Sequence, residues 1–213
     1  MNMAREGVET VLELFAQRGG YLTAWDAARA GVPGMTLTRL LRQGLIERPQ
    51  RGVYRLVDVG DLEAVGAEAE DLLEVQLRSP YARPCLVSAL QLHGLTTTRP
   101  AALQFAVPAH HRRPAVDFPA LEIFYFGPRA YRTGLTTLNV RGRPLTTYSP
   151  EKTLTDLLRY APRFGRDLYL EGLKKYLGRP GAQVQGLIET GKDQGVWKAL
   201  SRDLEVLLHD QDH

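Results

Sequence analysis

Residues 36–56, TLTRLLRQGLIERPQRGVYRL, are rich in side chains that bind phosphates and base edges. The stretch holds five arginines and one acid, and it has no lysine. Arginine donates paired hydrogen bonds to phosphate oxygens or to guanine, while threonine and glutamine bond phosphates or bases. This composition indicates recognition of a nucleic acid, provided that the local structure turns these side chains toward solvent.

The spacing in the first half of the stretch predicts a helix with two different faces. Leu37, Leu40 and Leu41 cluster within about 100° of arc on a helical wheel and form a narrow stripe for a core. Gly44 comes directly after the helix, and we expect it to end the helix by adopting the left-handed conformation. The opposite face carries Thr36, Thr38, Arg39, Arg42 and Gln43.

A two-stranded hairpin is predicted directly after this helix. Residues 45–48 lead into the turn sequence PQRG, and VYRL at 53–56 returns with alternating apolar and polar residues. The hairpin carries Arg48, and Arg51 lies near its tip. Two helices precede the stretch, one with apolar residues at helical spacing from Val8 to Phe15 and one capped by Thr23.

Three helices followed by a hairpin are typical of a winged helix-turn-helix, whose second motif helix enters the major groove while the wing follows the backbone. The predicted DNA-binding residues are Thr36, Thr38, Arg39, Arg42, Gln43, Arg48 and Arg51. Two alternatives stay open from these residues. Arginines opposite a leucine stripe also form ordinary solvated faces, and winged helices also bind proteins.

Charge along the chain predicts a domain boundary near residues 58–61. Residues 1–58 hold 8 arginines and 6 acids, residues 59–78 hold 6 acids and one arginine, and residues 79–145 hold 8 arginines and 2 acids. The segment VDVGD, in which Gly60 lies between two acids, interrupts the alternation of the hairpin and separates the first block from the second. We therefore expect a DNA-binding domain over 1–58 and a second domain over 59–213, which begins with an acidic helical connector at 61–78.

The second domain is predicted to be α/β, which makes the whole chain α+β. Strands are expected at 103–108, 121–127, 135–140 and 143–149, forming one small sheet of about four strands. Ser149 and Pro150 are expected to start a helix, with further helices near 166–177, 182–190 and 195–208. Arginines of the basic block form a possible secondary surface or merely balance the acidic connector: Arg83, Arg99, Arg112, Arg113, Arg129, Arg132, Arg141 and Arg143.

Residues that could carry catalysis do not form a recognisable site. Asp117 and Glu122 lie close together, and no lysine follows at the spacing of a metal-dependent nuclease. His110 and His111 have no third ligand at a recognisable spacing. Cys85 has no paired base. We expect no enzyme activity, no metal and no cofactor.

Composition places the chain among ordinary intracellular proteins. The fractions of apolar and charged residues are 44% and 24%, and the net charge of +3 is small for 213 residues. A single cysteine excludes an intramolecular disulfide and fits a reducing cytoplasm. The N-terminus lacks the continuous hydrophobic run of a signal peptide, and no stretch approaches the length of a membrane span.

The segment GGYLTAWDAARAGVPGMTLTRLLRQGLIERPQRGVYRL resembles the N-terminal domain of the AbiEi antitoxins, from the AbiE abortive-infection (type IV) toxin–antitoxin systems. The shared features are a Gly-Tyr-Leu-Thr entry, a helix ending at Ala-Gly, a leucine-arginine helix, and then Gly-Leu-Ile-Glu-Arg and Arg-Gly-Val-Tyr-Arg-Leu. They cover residues 7–57. SALQLHGLT and YSPEKTLTDLLRY resemble segments of the family's downstream domain.

This resemblance implies a regulator that binds inverted repeats in its own promoter and opposes a nucleotidyltransferase-type toxin, with direct contact to the toxin left open. Similar N-terminal domains are also fused to unrelated partners, including nuclease-like ones. Two other hypotheses therefore remain at this point. One is a winged-helix transcription regulator with a small-molecule effector in the second domain, and the other is a nuclease with a degenerate site.

Overall fold

The computed structural model describes residues 2–57 and 67–209 of the chain, and over these it is a mixed α+β protein. The predicted boundary at 58–61 and the first part of the predicted acidic connector, residues 61–66, lie outside the described residues. The chain forms two compact units. The first comprises Met1–Ala82, Arg112–Ala120 and Leu138–Leu145, and the second comprises Arg83–His111, Leu121–Thr137 and Thr146–His213.

The first unit begins with three helices and a small sheet. Its elements are α1 (Asn2–Gln17), β1 (Tyr21–Thr23), α2 (Ala24–Arg29), α3 (Gly34–Arg42), β2 (Ile46–Gln50), β3 (Val53–Leu56) and α4 (Ala67–Arg78). The strands form an antiparallel sheet in the order β1-β3-β2. The three-residue strand β1 was not predicted, because a segment of that length carries too little alternation to be recognised in sequence.

Apolar side chains from the three helices and the sheet form one core in the first unit. Phe15 from α1, Leu40 from α3 and Ile46 from β2 are almost fully buried within it. Thr23 caps α2 as predicted, and its hydroxyl accepts from the Asp26 N–H at 3.0 Å. The order of elements and the position of α3 therefore follow from the apolar spacing of the sequence.

The second unit contains the remaining strands and seven helices, counted over the described residues. Its elements are β4 (Arg83–Pro84), α5 (Leu86–Leu92), β5 (Leu103–Pro108), β6 (Leu121–Phe126), α6 (Pro128–Arg132), β7 (Leu135–Val140), β8 (Arg143–Tyr148), α7 (Pro150–Arg159), α8 (Ala161–Phe164), α9 (Asp167–Leu177), α10 (Val184–Asp193) and α11 (Trp197–His209). The outer part of the β7–β8 pair, residues 138–145, is grouped with the first unit.

The four predicted strands form, but the prediction of one four-stranded sheet is wrong. β4, β5 and β6 make a mixed three-stranded sheet in which β5 and β6 are parallel, while β7 and β8 pair separately. Alternation identifies a strand without identifying its partner. Here the turn at Arg141–Gly142, with positive φ at both residues, closes β7 on β8, and helix α6 separates them from β6 in sequence.

Helix α7 provides the centre of the second unit. Ser149 caps it by accepting from the Lys152 N–H at 3.3 Å, and Pro150 occupies the first helical position. Lys152 is fully buried and forms an ion pair with Asp156 one turn later. Gly134 approaches this lysine so closely that a Cβ there would lie 2.7 Å from the Lys152 Cβ, so the position requires glycine.

Candidate nucleic-acid interface

Helix α3 presents the two faces that its spacing predicts. Leu37 and Leu40 are buried against the core, whereas Arg39 and Arg42 are exposed. Among the described residues, neither guanidinium group has a hydrogen-bonding or ion-pair partner. Thr38 and Gln43 are also exposed, and Thr36 is half-buried. The Thr38 hydroxyl donates to the Gly34 carbonyl at 3.1 Å, so among the described residues the two arginines are the charged donors that α3 leaves free.

Gly44 ends this helix with a φ of +68°, as predicted. The Gly44 N–H donates to Leu41, and the Leu45 N–H donates to the carbonyl of Leu40, so the last turn is closed by backbone bonds. The chain then enters β2 directly. This tight connection keeps the polar face of α3 and the hairpin within one continuous segment of 23 residues, Gly34–Leu56.

The hairpin β2–β3 places its two predicted DNA-binding arginines in solvent. Arg48 lies where the register of β2 and β3 shifts between Glu47 and Gln50, and Arg51 occupies the turn before Gly52. A register shift of this kind turns side chains away from the sheet. Neither arginine has a side-chain partner among the described residues. The hairpin is thus built to present two free cations beyond α3.

We expect Arg51→Ala to weaken binding to all duplex sequences by a similar factor. A phosphate contact carries no base information, so losing one should reduce the slope of log K against log salt concentration by about 1. Fluorescence anisotropy at several salt concentrations measures this slope, with Arg202→Ala on α11 as a charge-matched control. An altered sequence preference with an unchanged slope would show that Arg51 reads bases instead.

Arg55, on the same hairpin, differs from Arg48 and Arg51 because its guanidinium is paired with acidic side chains. Its guanidinium lies 2.6 Å from Glu74 and 3.2 Å from Glu70, both on α4. A third contact, at 2.6 Å, joins it to Glu47 on the adjacent strand. The Tyr21 hydroxyl donates to Glu74 at 3.1 Å. Burial raises the pKa of Glu74, and the nearby Arg55 charge opposes that shift only in part. Arg55 therefore joins the hairpin to α4 and is not available to a ligand.

A second polar cluster fixes the start of α2. Arg18 lies 2.5 Å from Asp26, and Arg143 lies 3.5 Å from the other carboxylate oxygen. Burial disfavours the charged form of Asp26, but the hydrogen bonds from Thr23 and the two arginine charges outweigh it. The pKa of Asp26 therefore falls below its ordinary value. This cluster holds the helix that precedes α3 in a fixed orientation.

Four of the eight predicted secondary arginines have named partners within their own units. In the first unit, Arg143 contacts Asp26 and Arg141 pairs with Glu70 at 2.9 Å. In the second unit, the Arg83 side chain donates to the Tyr131 carbonyl, and Arg129 pairs with an aspartate of α10. Exposure does not separate the two groups, because Arg129 is exposed as well as the remaining four, Arg99, Arg112, Arg113 and Arg132.

The residues considered for catalysis do not gather into a site. Cys85 is fully buried at the start of α5, and burial raises the pKa of its thiol. Glu122 accepts from Gln104 and pairs with Arg163. His110 and His111 lie in the exposed loop after β5. Across residues 2–57 and 67–209, no three metal-ligating side chains lie close enough to hold an ion.

Sequence reasoning missed two exposed aromatic residues beside the hairpin. Trp25 on α2 is 65% exposed, and Phe118 in the loop after β5 is 77% exposed. The position of Trp25 contains a signal, because it lies in the first turn of α2, between the capping residue Thr23 and Asp26. The exposure of Phe118 could not be predicted from the sequence, because its loop has neither the helical nor the strand periodicity of apolar residues.

The chain is similar to known proteins in one N-terminal segment and in its fold. Residues 9–57 match the family model described as a transcriptional regulator, AbiEi antitoxin. No curated protein matches the chain. The crystal structure of the RV2827C protein from Mycobacterium tuberculosis is similar to this chain with a TM-score of 0.52 and 18% identity, over 93% of this chain and 81% of that chain. At this identity the likeness concerns the fold.

The matched range contains every residue of the α3 and hairpin surfaces described above. It begins within α1 and ends directly after β3, so it includes both α3 and the hairpin. None of the helices in the described part of the chain is long and apolar enough to cross a membrane. Residues 9–57 of the chain are thus similar to the AbiEi family of antitoxin transcriptional regulators.

Proposed function

We propose that this protein is a sequence-specific DNA-binding antitoxin and transcriptional autorepressor that binds repeats in its own promoter. One observation carries the proposal. Within the segment that matches the family, Arg39, Arg42, Arg48 and Arg51 are all exposed and have no partner among the residues that the structure describes, while the neighbouring Arg55 is engaged by acids. Unpaired arginines on one short segment are suited to a polyanion such as duplex DNA.

The DNA-binding part is proposed to be a winged helix-turn-helix over residues 1–58. The order α1-β1-α2-α3-β2-β3 with a β1-β3-β2 sheet supports this assignment. In such a domain α3 enters the major groove, where Arg39 and Arg42 donate to base edges, and the hairpin follows the backbone. Inverted repeats in the promoter would then bind two copies of the chain, one for each half-site.

The second domain, residues 59–213, is proposed to oppose a cognate nucleotidyltransferase-type toxin in the cytoplasm. The protein needs no metal and no cofactor for this role, and it has no catalytic activity of its own. Incubation with plasmid DNA and magnesium should therefore leave the plasmid intact. Whether the toxin is contacted directly does not alter the proposal, since neutralisation is defined by its outcome in cells.

Two cell-based readouts test the proposal together. The full-length chain should repress a reporter that carries the DNA upstream of its own gene, and it should restore growth of cells that express a toxin encoded beside it. The double variant Arg39→Ala/Arg42→Ala should lose repression and retain rescue. Repression that survives this double change would contradict the assignment of α3, and failure of the unmodified chain to rescue would contradict the antitoxin role.

A small-molecule effector site is the alternative that a specific observation favours. An open groove of about 610 Å³ in the second unit is lined by apolar residues, including Leu158, Pro162 and Val196, and by the basic residues Arg166, Lys198 and Arg202. Its volume lies in the range of small-molecule sites. An effector would have to release the protein from its operator. A nucleotidyltransferase gene beside this one favours the antitoxin role, and a metabolic operon favours the effector.

A further inference from the structure

Two aromatic side chains of the first unit are left largely in water. Trp25, at the start of α2, is 65% exposed, and Phe118, in the segment Arg112–Ala120, is 77% exposed. Aromatic rings contribute much of the stabilisation of cores and interfaces because they bury large areas. Two such rings exposed in one unit indicate a contact surface.

Both rings belong to segments that are attached to the turn of the β2–β3 hairpin. The N–H of Ala24, the residue before Trp25, donates to the carbonyl of Gly52 at 2.7 Å. On the other strand, the buried Gln50 side chain donates to the carbonyl of Phe118. The two attachment points, residues 50 and 52, lie on either side of the exposed arginine at the tip.

Positive charge accompanies these rings. The guanidinium carbon of Arg29 lies 4.7 Å from the centre of the Trp25 ring, and Arg51 is exposed between the attachment points. Aromatic faces combined with guanidinium groups bind nucleotides, because the ring packs on bases and sugars while the cation neutralises phosphate. We call Trp25, Arg29, Arg51 and Phe118 the wing-edge patch.

We infer that the wing-edge patch is a second DNA contact, which packs Trp25 and Phe118 against the sugar–phosphate backbone beside the hairpin. The inference rests on the proposed function, because it places the patch on the duplex that α3 reads. A protein partner would also accept exposed rings, but Arg51, which is exposed at the tip and has no partner among the described residues, favours a polyanion. Since the backbone is the same in every sequence, the patch raises affinity without reading bases.

Alanine substitution tests this contact on the full-length chain. Trp25→Ala combined with Phe118→Ala should weaken binding about tenfold on operator and scrambled duplexes alike, because both variants of the duplex offer the same backbone and the two rings lose the apolar area that they would bury against it. The salt slope should stay unchanged, since no charge is removed. Tyr125→Ala, which removes a 53% exposed ring from the second unit, is the matched control. Affinity equal to the unmodified chain on both duplexes would overturn the inference.

Tryptophan fluorescence gives a second, independent readout. The chain has two tryptophans, so Trp197→Phe leaves Trp25 as the only one. Its emission should be quenched when operator duplex saturates the protein, with anisotropy reporting saturation. Unchanged emission at saturation would overturn the wing-edge contact alone. If the Arg39→Ala/Arg42→Ala variant still discriminated between sequences, the proposed recognition of bases by α3 would be overturned instead. Failure of the wing-edge contact and failure of the proposed function therefore give different results.

Discussion

Replacing Arg39 and Arg42 together with alanine should abolish the preference of the protein for its operator over scrambled DNA. Both side chains are exposed on α3 and unpartnered among the described residues, whereas Leu37 and Leu40 hold the helix in the core. Each bidentate arginine–guanine contact is worth about 1–3 kcal/mol of discrimination, so losing both should remove most of the specificity. Non-specific binding should remain, because the hairpin arginines are untouched.

A matched control variant distinguishes the loss of base-specific contacts from the loss of two positive charges. Lys198→Ala/Arg202→Ala removes two positive charges from α11 in the second unit and should leave discrimination intact. Circular dichroism and thermal unfolding should show the Arg39/Arg42 variant to be as stable as the unmodified chain, because neither side chain is buried. A folded double variant that still prefers the operator by the original factor would disprove the role assigned to α3.

Replacing Lys152 with methionine should destabilise the protein by about 3–5 kcal/mol, the usual cost of leaving one member of a buried ion pair alone. Lys152 is fully buried and Asp156 is 2% exposed. Burial lowers the pKa of the lysine and raises that of the aspartate, so each charge depends on the other. The lysine nitrogen also lies 5.1 Å and 4.9 Å from the rings of Phe126 and Tyr148.

The double variant Lys152→Met/Asp156→Leu shows whether the charge itself is required. Replacing a buried pair with apolar side chains of similar volume is often neutral or stabilising. We therefore expect the double variant to recover most of the stability lost by Lys152→Met. Urea denaturation of the three proteins measures this, with the midpoint as the readout. A single variant as stable as the unmodified chain would contradict the burial and pairing of this lysine.

The sequence was sufficient to predict the helix that carries the candidate site. The leucine stripe at 37, 40 and 41 defines both faces of α3, and Gly44 marks its end, because these features are local. The second unit was harder to predict. Its strands were recognised individually, but which strands pair depends on the α6 helix and the Arg141–Gly142 turn, and alternation contains no information about partners.

The contrast between Arg51 and Arg55 shows why site residues cannot be assigned from composition alone. Both lie in one short hairpin and look equivalent in sequence. Arg55 is paired with Glu70 and Glu74, which come from a helix 15 and 19 residues further along the chain. Only the fold brings these acids to the hairpin. For the same reason, experiments on DNA binding should use the full chain, since residues 1–58 alone would leave Arg55 without these acids.

Footprinting of the full-length protein on the DNA upstream of its own gene tests the central claim most directly. If α3 and the hairpin read an operator there, a repeated sequence should be protected at protein concentrations about a thousandfold below those that protect unrelated DNA. Protection should spread over two half-sites about one helical turn or a multiple of it apart. Equal protection of upstream and unrelated DNA, or none at all, would contradict the account.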